Sequence, residues 1–230
     1  MFFRFQIGGT KVKIGKKRYS TKRTLLDLSD KKLENSDLEQ LKHMQNLTAL
    51  WLCHNQISDI SALKELTNLE TLLLNDTQIS DISVLKDLSN LTTLELDSTE
   101  ISDISVLKDF SHLKRLFFGS NQVSNISILK DFAALEVLEL SNNQISDISV
   151  LKDLTSLDEL DLNNNQIRDI SALKDLTNLD ELELNNNQIS DISALKDLTS
   201  LAVLELNDNQ ISETQLEELR SSLPNCCIIG

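Results

Sequence analysis

The chain has 230 residues, of which 40% are hydrophobic and only 4% aromatic, and its formal net charge is −14. Residues 1–24 hold eight Lys and Arg and no acid, so the other 14 basic residues accompany all 36 acidic ones and the remainder carries −22. Such an acidic body should repel nucleic acid and anionic membranes over most of its surface.

The cysteines and the N-terminal residues bear on location. An odd number of cysteines, Cys53, Cys226 and Cys227, gives no disulfide framework and fits a reducing compartment. Residues 1–9 lack the apolar stretch of a signal peptide, and no segment has the length and hydropathy of a membrane span. We therefore expect a cytoplasmic protein, while secretion by another route stays open.

Residues 1–22 predict a basic capping hairpin. Apolar residues alternate with basic or polar ones on both sides of Gly8 and Gly9, which is typical of two short strands about a turn. These apolar residues are Phe2, Phe3, Phe5, Ile7, Val12 and Ile14. The hairpin would cover the first of the repeats that follow, and the alternative is a basic arm that contacts nucleic acid or acidic lipid.

Residues 23–46 predict an atypical first repeat with a helix. Leu26 and Leu28 lie 24 residues before Leu50 and Leu52. This spacing is two residues longer than the one found later in the chain, and the extra residues fall in 36–44. Ser36 is a suitable N-cap for a helix there.

Residues 47–200 consist of seven 22-residue repeats. The leading leucines are Leu47, Leu69, Leu91, Leu113, Leu135, Leu157, Leu179 and Leu201. A fixed period of this length is typical of a solenoid. Each repeat has the pattern L-x-x-L-x-L-x-x-N, with Thr twice in place of Asn, followed by I-x-x-I-x-x-L-x-x-L with occasional Phe or Val.

This pattern resembles the leucine-rich repeats of bacterial internalins and of a eukaryotic phosphatase-regulatory subunit. The resemblance implies an α/β fold: a right-handed solenoid with a parallel sheet on its concave side and short 3₁₀ or helical turns on its convex side. It also implies a protein-interaction function, since these relatives suggest regulation or adhesion. No residue of this chain carries over a known partner contact.

Two polar columns of the repeat predict scaffolding. The recurrent asparagines should turn inward and bond the backbone of their own and the neighbouring repeat, because a buried amide needs partners. They stand at Asn55, Asn121, Asn143, Asn165, Asn187 and Asn209, with Thr77 and Thr99 as substitutes. In the Asp-Ile-Ser segments, the carboxylate should accept a backbone N–H at the start of each convex turn. A catalytic carboxylate array is the less favoured interpretation.

Residues 201–230 predict a last repeat and a C-terminal cap. Residues 213–222 have helical spacing, Pro224 ends that pattern, and residues 226–229 suit a last short strand.

Candidate catalytic groups are few. Cys53 and His54 are adjacent at a strand end, where neighbouring side chains diverge, and His43, His54 and His112 lack the spacing of a metal site. No oxyanion hole or phosphate cradle is recognisable. We expect no enzymatic activity, no cofactor and no metal.

The outward strand positions are not needed for the core, and they form the predicted binding surface. Trp51, Leu73 and Phe117 should lie there with Arg115, a composition typical of binding hot spots. The alternative is that Trp51 and Leu73 pack on each other or under the hairpin. The full set of predicted partner-binding residues is Trp51, His54, Leu73, Glu95, Arg115, Phe117, Glu139, Glu159, Asp161, Glu181, Glu183 and Glu205.

The acids of this set converge on the C-terminal half of the sheet. Like charges on neighbouring strands repel, which predicts a partner of basic character, including the basic segment of a neighbouring copy. The alternative is recent duplication, because residues 157–178 and 179–200 differ at only 3 positions.

The predicted function is therefore a non-catalytic module that binds a partner protein or peptide on its concave face. The alternative is a targeting or adaptor protein whose basic N-terminal arm contacts nucleic acid or membrane.

Overall fold

A computed structural model describes residues 10–230. The predicted strand at residues 2–7 and the predicted turn at Gly8 and Gly9 lie outside the described residues. Within them, strands β1 (Lys11–Ile14) and β2 (Lys17–Ser20) form an antiparallel hairpin whose turn lies at Gly15 and Lys16. Gly15 has φ 54°, a left-handed conformation that favours glycine, and a Cβ there would stand 2.7 Å from Cδ2 of Leu33. The hairpin thus lies directly against the first repeat.

Ten three-residue strands form one parallel sheet in sequence order. They are β3 (Leu25–Asp27), β4 (Ala49–Trp51), β5 (Thr71–Leu73), β6 (Thr93–Glu95), β7 (Arg115–Phe117), β8 (Val137–Glu139), β9 (Glu159–Asp161), β10 (Glu181–Glu183), β11 (Val203–Glu205) and β12 (Cys227–Ile229). The middle leucine of each strand from β3 to β11 is buried, and the residues on either side of it face outward. This confirms the predicted solenoid with a parallel sheet.

The core is a stack of leucine and isoleucine columns, most of them fully buried. Three phenylalanines, Phe110, Phe118 and Phe132, replace leucines in it. Phe118 is accompanied by Val123 where most repeats have Ile, and this exchange offsets part of the added volume. The core therefore follows the repeat pattern except around residues 110–132.

Short 3₁₀ helices form the convex side. They span Asn35–His43, Ser61–Leu63, Ser83–Asp87, Ser105–Asp109, Ser127–Asp131, Ser149–Asp153, Ser171–Leu173 and Ser193–Leu195. The predicted role of the Asp-Ile-Ser segments is confirmed: for example, Asp147 Oδ1 accepts the backbone N–H of Ser149 at 2.9 Å. This hydrogen bond lowers the pKa of Asp147 below its ordinary value.

The helix expected after Ser36 differs from the prediction. It is a 3₁₀ helix capped by Glu34, not an α-helix capped by Ser36. The carbonyl of Glu34 accepts the N–H of Asp37 at 2.9 Å, and the Asp37 carboxylate accepts the N–H of Glu34 at 3.1 Å. These reciprocal bonds start the turn two residues early.

The asparagine ladder lies inside the solenoid, as predicted. Asn165 is 8% exposed, and its amide donates to the carbonyls of Leu140 (3.0 Å), Leu162 (3.1 Å) and Asn163 (3.2 Å). Its Oδ1 accepts the N–H of Ile145 at 3.0 Å. The ladder is therefore scaffolding.

At the C-terminal end, helix α1 (Glu213–Ser222) and strand β12 lie where the sequence predicts a helix and a last strand. Ser212 and Gln215 form a capping box at the start of α1. Leu216 and Leu219 lie on the inner face of α1 and are buried. Strand β12 pairs with β11 and extends the sheet.

Candidate functional site

The candidate binding surface is the outward side of the ten-stranded sheet, which we call the concave face. The strands are in register, so Trp51 lies opposite Asp27 and Leu73, and Phe117 lies opposite Glu95 and Glu139. Parallel strands lie about 4.8 Å apart, so the outward residues form two continuous columns. Of the predicted partner-binding residues, only His54 lies off the strands, in the turn after β4.

The N-terminal end of this face is apolar. Trp51 and Leu73 are half-buried, so they neither lie in the interior nor stand free in solvent. The indole Nε1 of Trp51 is buried without a hydrogen-bond acceptor among residues 10–230. Leu25, on the adjacent strand β3, is 45% exposed. This end is a partly packed apolar patch with open edges.

His54 and Cys53, adjacent at the end of β4, lie in different surroundings. His54 has φ 56°, and its Nδ1 lies 3.1 Å from a carboxylate oxygen of Asp76 in the next repeat. Cys53 is half-buried, and burial raises the pKa of its thiol above the ordinary value. A protonated thiol is a poor nucleophile.

The middle of the concave face contains a small depression. Arg115 is exposed and Phe117 is half-buried, while Val137 on the next strand is only 4% exposed. The depression measures about 140 Å³. Its lining residues are Phe117, Val137, Leu138, Glu139, Glu159, Leu160, Asp161, Glu181 and Glu183. It therefore combines an apolar floor with acidic walls.

Beside it, three carboxyl groups form what we call the carboxylate row: Asp97, Glu139 and Asp161. Glu139 occupies the space left by the missing side chain of Gly119, where a Cβ would stand 2.7 Å from Glu139 Oε1. Asp97 Oδ1 accepts the N–H of Gly119 at 2.7 Å, and Glu139 Oε1 accepts the N–H of Ser141 at 3.0 Å. The negative charge of Glu139 acts on both aspartates.

The two aspartates of the carboxylate row retain protons near neutral pH. Burial, reinforced by the charge of Glu139, raises the pKa of Asp97 to about 7 and that of Asp161 to about 7. Burial also raises the pKa of Glu183 above its ordinary value. Carboxyl groups this close cannot all ionise without a compensating charge.

Asparagine side chains of the concave face partly compensate the remaining glutamates. The Asn75 amide donates to Glu95 at 2.8 Å, and those of Asn163 and Asn185 donate to Glu183 and Glu205. Among the described residues, none of these glutamates pairs with Lys, Arg or His. The repulsion expected from the sequence is therefore softened by neutral partners and proton retention, not by internal cations.

Asp97, Gly119 and the asparagines of the concave face are not among the residues predicted from the sequence. These residues occupy the outward column that follows the second leucine of each repeat, which starts at Ser29 and ends at Asn207. The change from Asn to Asp and Gly within that column was the available signal.

Residues 10–230 also lack a metal-binding cluster and a membrane-spanning helix. No group of His, Cys, Asp and Glu there has a geometry suited to a metal ion. No helix in this part of the chain has the length and apolar character required to cross a bilayer.

The repeats match the family described as leucine-rich repeats (2 copies) over residues 45–87, 67–109, 111–153, 133–175 and 177–225. Among solved structures, internalin F of Listeria monocytogenes is 32% identical with a TM-score of 0.77. Internalin C2 of the same organism is also 32% identical, with a TM-score of 0.75, and a leucine-rich-repeat protein of Leptospira interrogans is 28% identical with 0.78.

These alignments cover 83%, 87% and 84% of this chain, respectively. The chain spans 63% of internalin F, 89% of internalin C2 and 51% of the Leptospira protein. No curated protein sequence matches it.

Proposed function

The chain belongs to the leucine-rich-repeat family, in its bacterial internalin-like class, and on this basis we propose that it is a non-catalytic module that binds a partner protein or peptide on its concave face. The observation that carries this proposal is that the inward and outward side chains of each repeat have different roles. Inward side chains fill the core or the asparagine ladder, whereas the outward columns display apolar and charged groups with few partners of their own.

The concave face has the composition of a binding surface. Half-buried Trp51, Leu73 and Phe117 offer apolar area, and exposed Arg115 offers a charged hydrogen-bond donor. Aromatic residues and arginine carry much of the energy of protein interfaces, and carboxylates around them set charge selectivity.

A displayed peptide library tests the proposal. Peptides selected on the wild-type protein are measured against Trp51→Ala and Phe117→Ala, with Lys86→Ala and Lys130→Ala as exposed convex controls. We expect the concave variants to weaken binding by about tenfold or more, which is the effect of a hot-spot residue, with unchanged thermal stability. Equal losses in concave and convex variants would contradict the assignment.

The absence of catalysis and a cytoplasmic location are part of the same proposal. The Cys53 thiol is held protonated by burial, and the convex aspartate of each Asp-Ile-Ser segment is occupied in capping. Cys53, Cys226 and Cys227 are free thiols, which fits a reducing compartment. Cell fractionation tests the location, and any turnover lost in Cys53→Ser would argue against the non-catalytic assignment.

One observation favours a second function at the N-terminal end. A cavity of about 300 Å³ lies between the hairpin and the first repeat, and four lysines line it. They are Lys16, Lys17, Lys31 and Lys32. A targeting role for this basic end predicts binding to duplex DNA or anionic vesicles that falls steeply with salt. Lys16→Gln with Lys17→Gln, which changes two exposed lysines of this cavity, should then reduce that binding without affecting the concave face.

A further inference from the structure

We propose that the depression on strands β7–β10 accepts the side chain of one lysine or arginine from a basic segment of the partner. This inference rests on the proposed function and adds the chemistry of the partner. Three observations support it: the size of the depression, its apolar floor and its carboxylates, which have no basic partner among residues 10–230.

The size and floor of the depression suit one long side chain. Its volume of about 140 Å³ is well below the roughly 300–1,000 Å³ of small-molecule sites. Phe117 and Val137 can contact the methylene groups of a lysine or arginine, which pack on apolar surface while the charged head stays in a polar environment. The ring of Phe117 also favours a cation over its face.

The walls are anionic without an internal cation. Glu139, Asp161 and Glu183 are half-buried, and Glu181 at the edge is exposed. Within residues 10–230, none of these carboxylates forms an ion pair, and Glu183 has only the neutral amide of Asn163. A guanidinium or ammonium group would supply the missing charge with charge-assisted hydrogen bonds.

Binding of a cation should be linked to release of protons. Among residues 10–230, the titratable groups facing the depression and the carboxylate row come from β6 to β11 and the turn after β6, and the one basic group of these is Arg115. The acids are Glu95, Asp97, Glu139, Glu159, Asp161, Glu181, Glu183 and Glu205. Because the pKa of Asp97 and of Asp161 is about 7, a bound cation would favour their ionised forms. Affinity should therefore increase from about pH 6 to about pH 8.

The probe is a fluorescein-labelled 12-residue peptide of alternating Lys and Ser, and the control peptide has Gln in place of Lys. Fluorescence anisotropy is measured on the wild type, on Asp161→Asn with Glu183→Gln, and on Asp131→Asn with Asp153→Asn. The last pair changes the net charge equally but lies on the exposed convex side. At physiological salt, general attraction to the acidic body is largely screened.

We expect the pair at positions 161 and 183 to weaken binding by about tenfold or more, since it removes two charge-assisted contacts, and the convex pair by about twofold or less. Thermal stability of the first pair should be equal or higher, because two half-buried carboxylates are replaced by neutral amides. Equal weakening by both pairs, binding of the Gln peptide, or no change in affinity with pH would overturn the proposal. Sedimentation that shows self-association abolished by the first pair would support the basic side chain and identify its source as the basic hairpin of another copy.

The peptide library separates this inference from the function on which it rests. Selected peptides that need Phe117 but are not enriched in Lys or Arg would refute the basic side chain and leave the concave binding face intact. A library without peptides that depend on the concave face would refute the proposed function itself.

Discussion

Removal of one rung of the asparagine ladder should destabilise the whole solenoid. Asn165→Ala deletes four hydrogen bonds, three donated by the amide and one accepted from Ile145. The consequences differ among these partners. The carbonyl of Leu140 still accepts from Asn143 at 3.1 Å, and the carbonyl of Leu162 still accepts from Asn187 at 3.0 Å.

The N–H of Ile145 is the group that loses its partner. It is buried and has no other acceptor among the described hydrogen bonds. A buried unsatisfied donor costs about 1–3 kcal/mol, and each lost neutral hydrogen bond contributes roughly 0.5–1.5 kcal/mol more. Since the three carbonyls keep other partners, we expect the free energy of unfolding to fall by about 3 kcal/mol.

Urea unfolding followed by circular dichroism measures this loss. Asn178→Ala is the matched control, because it is the same substitution at an exposed asparagine whose amide donates only to the Thr155 carbonyl at 2.7 Å. Its cost should be below about 1 kcal/mol. If Asn165→Ala and Asn178→Ala lowered the unfolding free energy equally, with an unchanged denaturant slope, the ladder would not be the scaffold inferred from the structure.

Three further predictions concern the concave face. Because burial raises the pKa of Asp97 and Asp161 to about 7, the native state holds protons that the unfolded chain releases. The melting temperature should therefore fall as pH rises from about 4 to about 7, and this pH dependence should become smaller when both residues are changed to Asn. Gly119→Ala places a methyl group against the Glu139 carboxylate and should cost about 1–3 kcal/mol in urea unfolding, and most of that cost should vanish in a Glu139→Ala background. Trp51→Phe removes a buried indole N–H that has no acceptor among residues 10–230, so it should change the unfolding free energy by less than about 1 kcal/mol and retain peptide binding, whereas Trp51→Ala should lose binding in anisotropy measurements.

The acid side of the pH profile has a separate origin. Hydrogen bonds from the following serine lower the pKa of the convex aspartates, among them Asp81, Asp103 and Asp191. Their contribution to stability is present above the ordinary aspartate pKa and is lost as pH falls below it. A decrease in stability as pH falls below about 4 therefore reports the convex turns. A decrease as pH rises from about 4 to about 7 reports Asp97 and Asp161 of the carboxylate row.

The fold could be predicted from the sequence because each repeat packs against its neighbours in the same way. The period placed every inward leucine, the asparagine ladder and the hydrogen bonds of the Asp-Ile-Ser turns, since these depend on neighbours at a constant separation along the chain. The register of the sheet followed as well, because a parallel strand of the pattern L-x-L has one way to bury both leucines. The outward columns could therefore be written down from the sequence.

What the period could not predict depends on single departures from it. The early start of the first convex turn needed the reciprocal bonds of Glu34 and Asp37, whereas Ser36 has the stronger statistical preference for an N-cap. The turn at Gly15 was not predicted, because only Tyr19 is apolar in the segment that follows it, Lys17–Ser20. The half-burial of Trp51 depends on how its ring lies over the sheet. The position of Trp51 in the repeat predicts only that its side chain lies on the outward side of the sheet.

The carboxylate row shows why one glycine was decisive for the candidate site. A side chain at position 119 would stand against the carboxyl group of Glu139, and Glu139 would have to move from its place between Asp97 and Asp161. Asp97 would then keep the charge of Glu95 beside it and Asp161 that of Glu183, but both would lose part of the effect of Glu139. Loss of the glycine should therefore reduce both the proton retention of this face and the attraction of its depression for a cation, whereas the ladder beneath would be unchanged. The chemistry of the concave face thus depends on the repeat that departs furthest from the regular pattern.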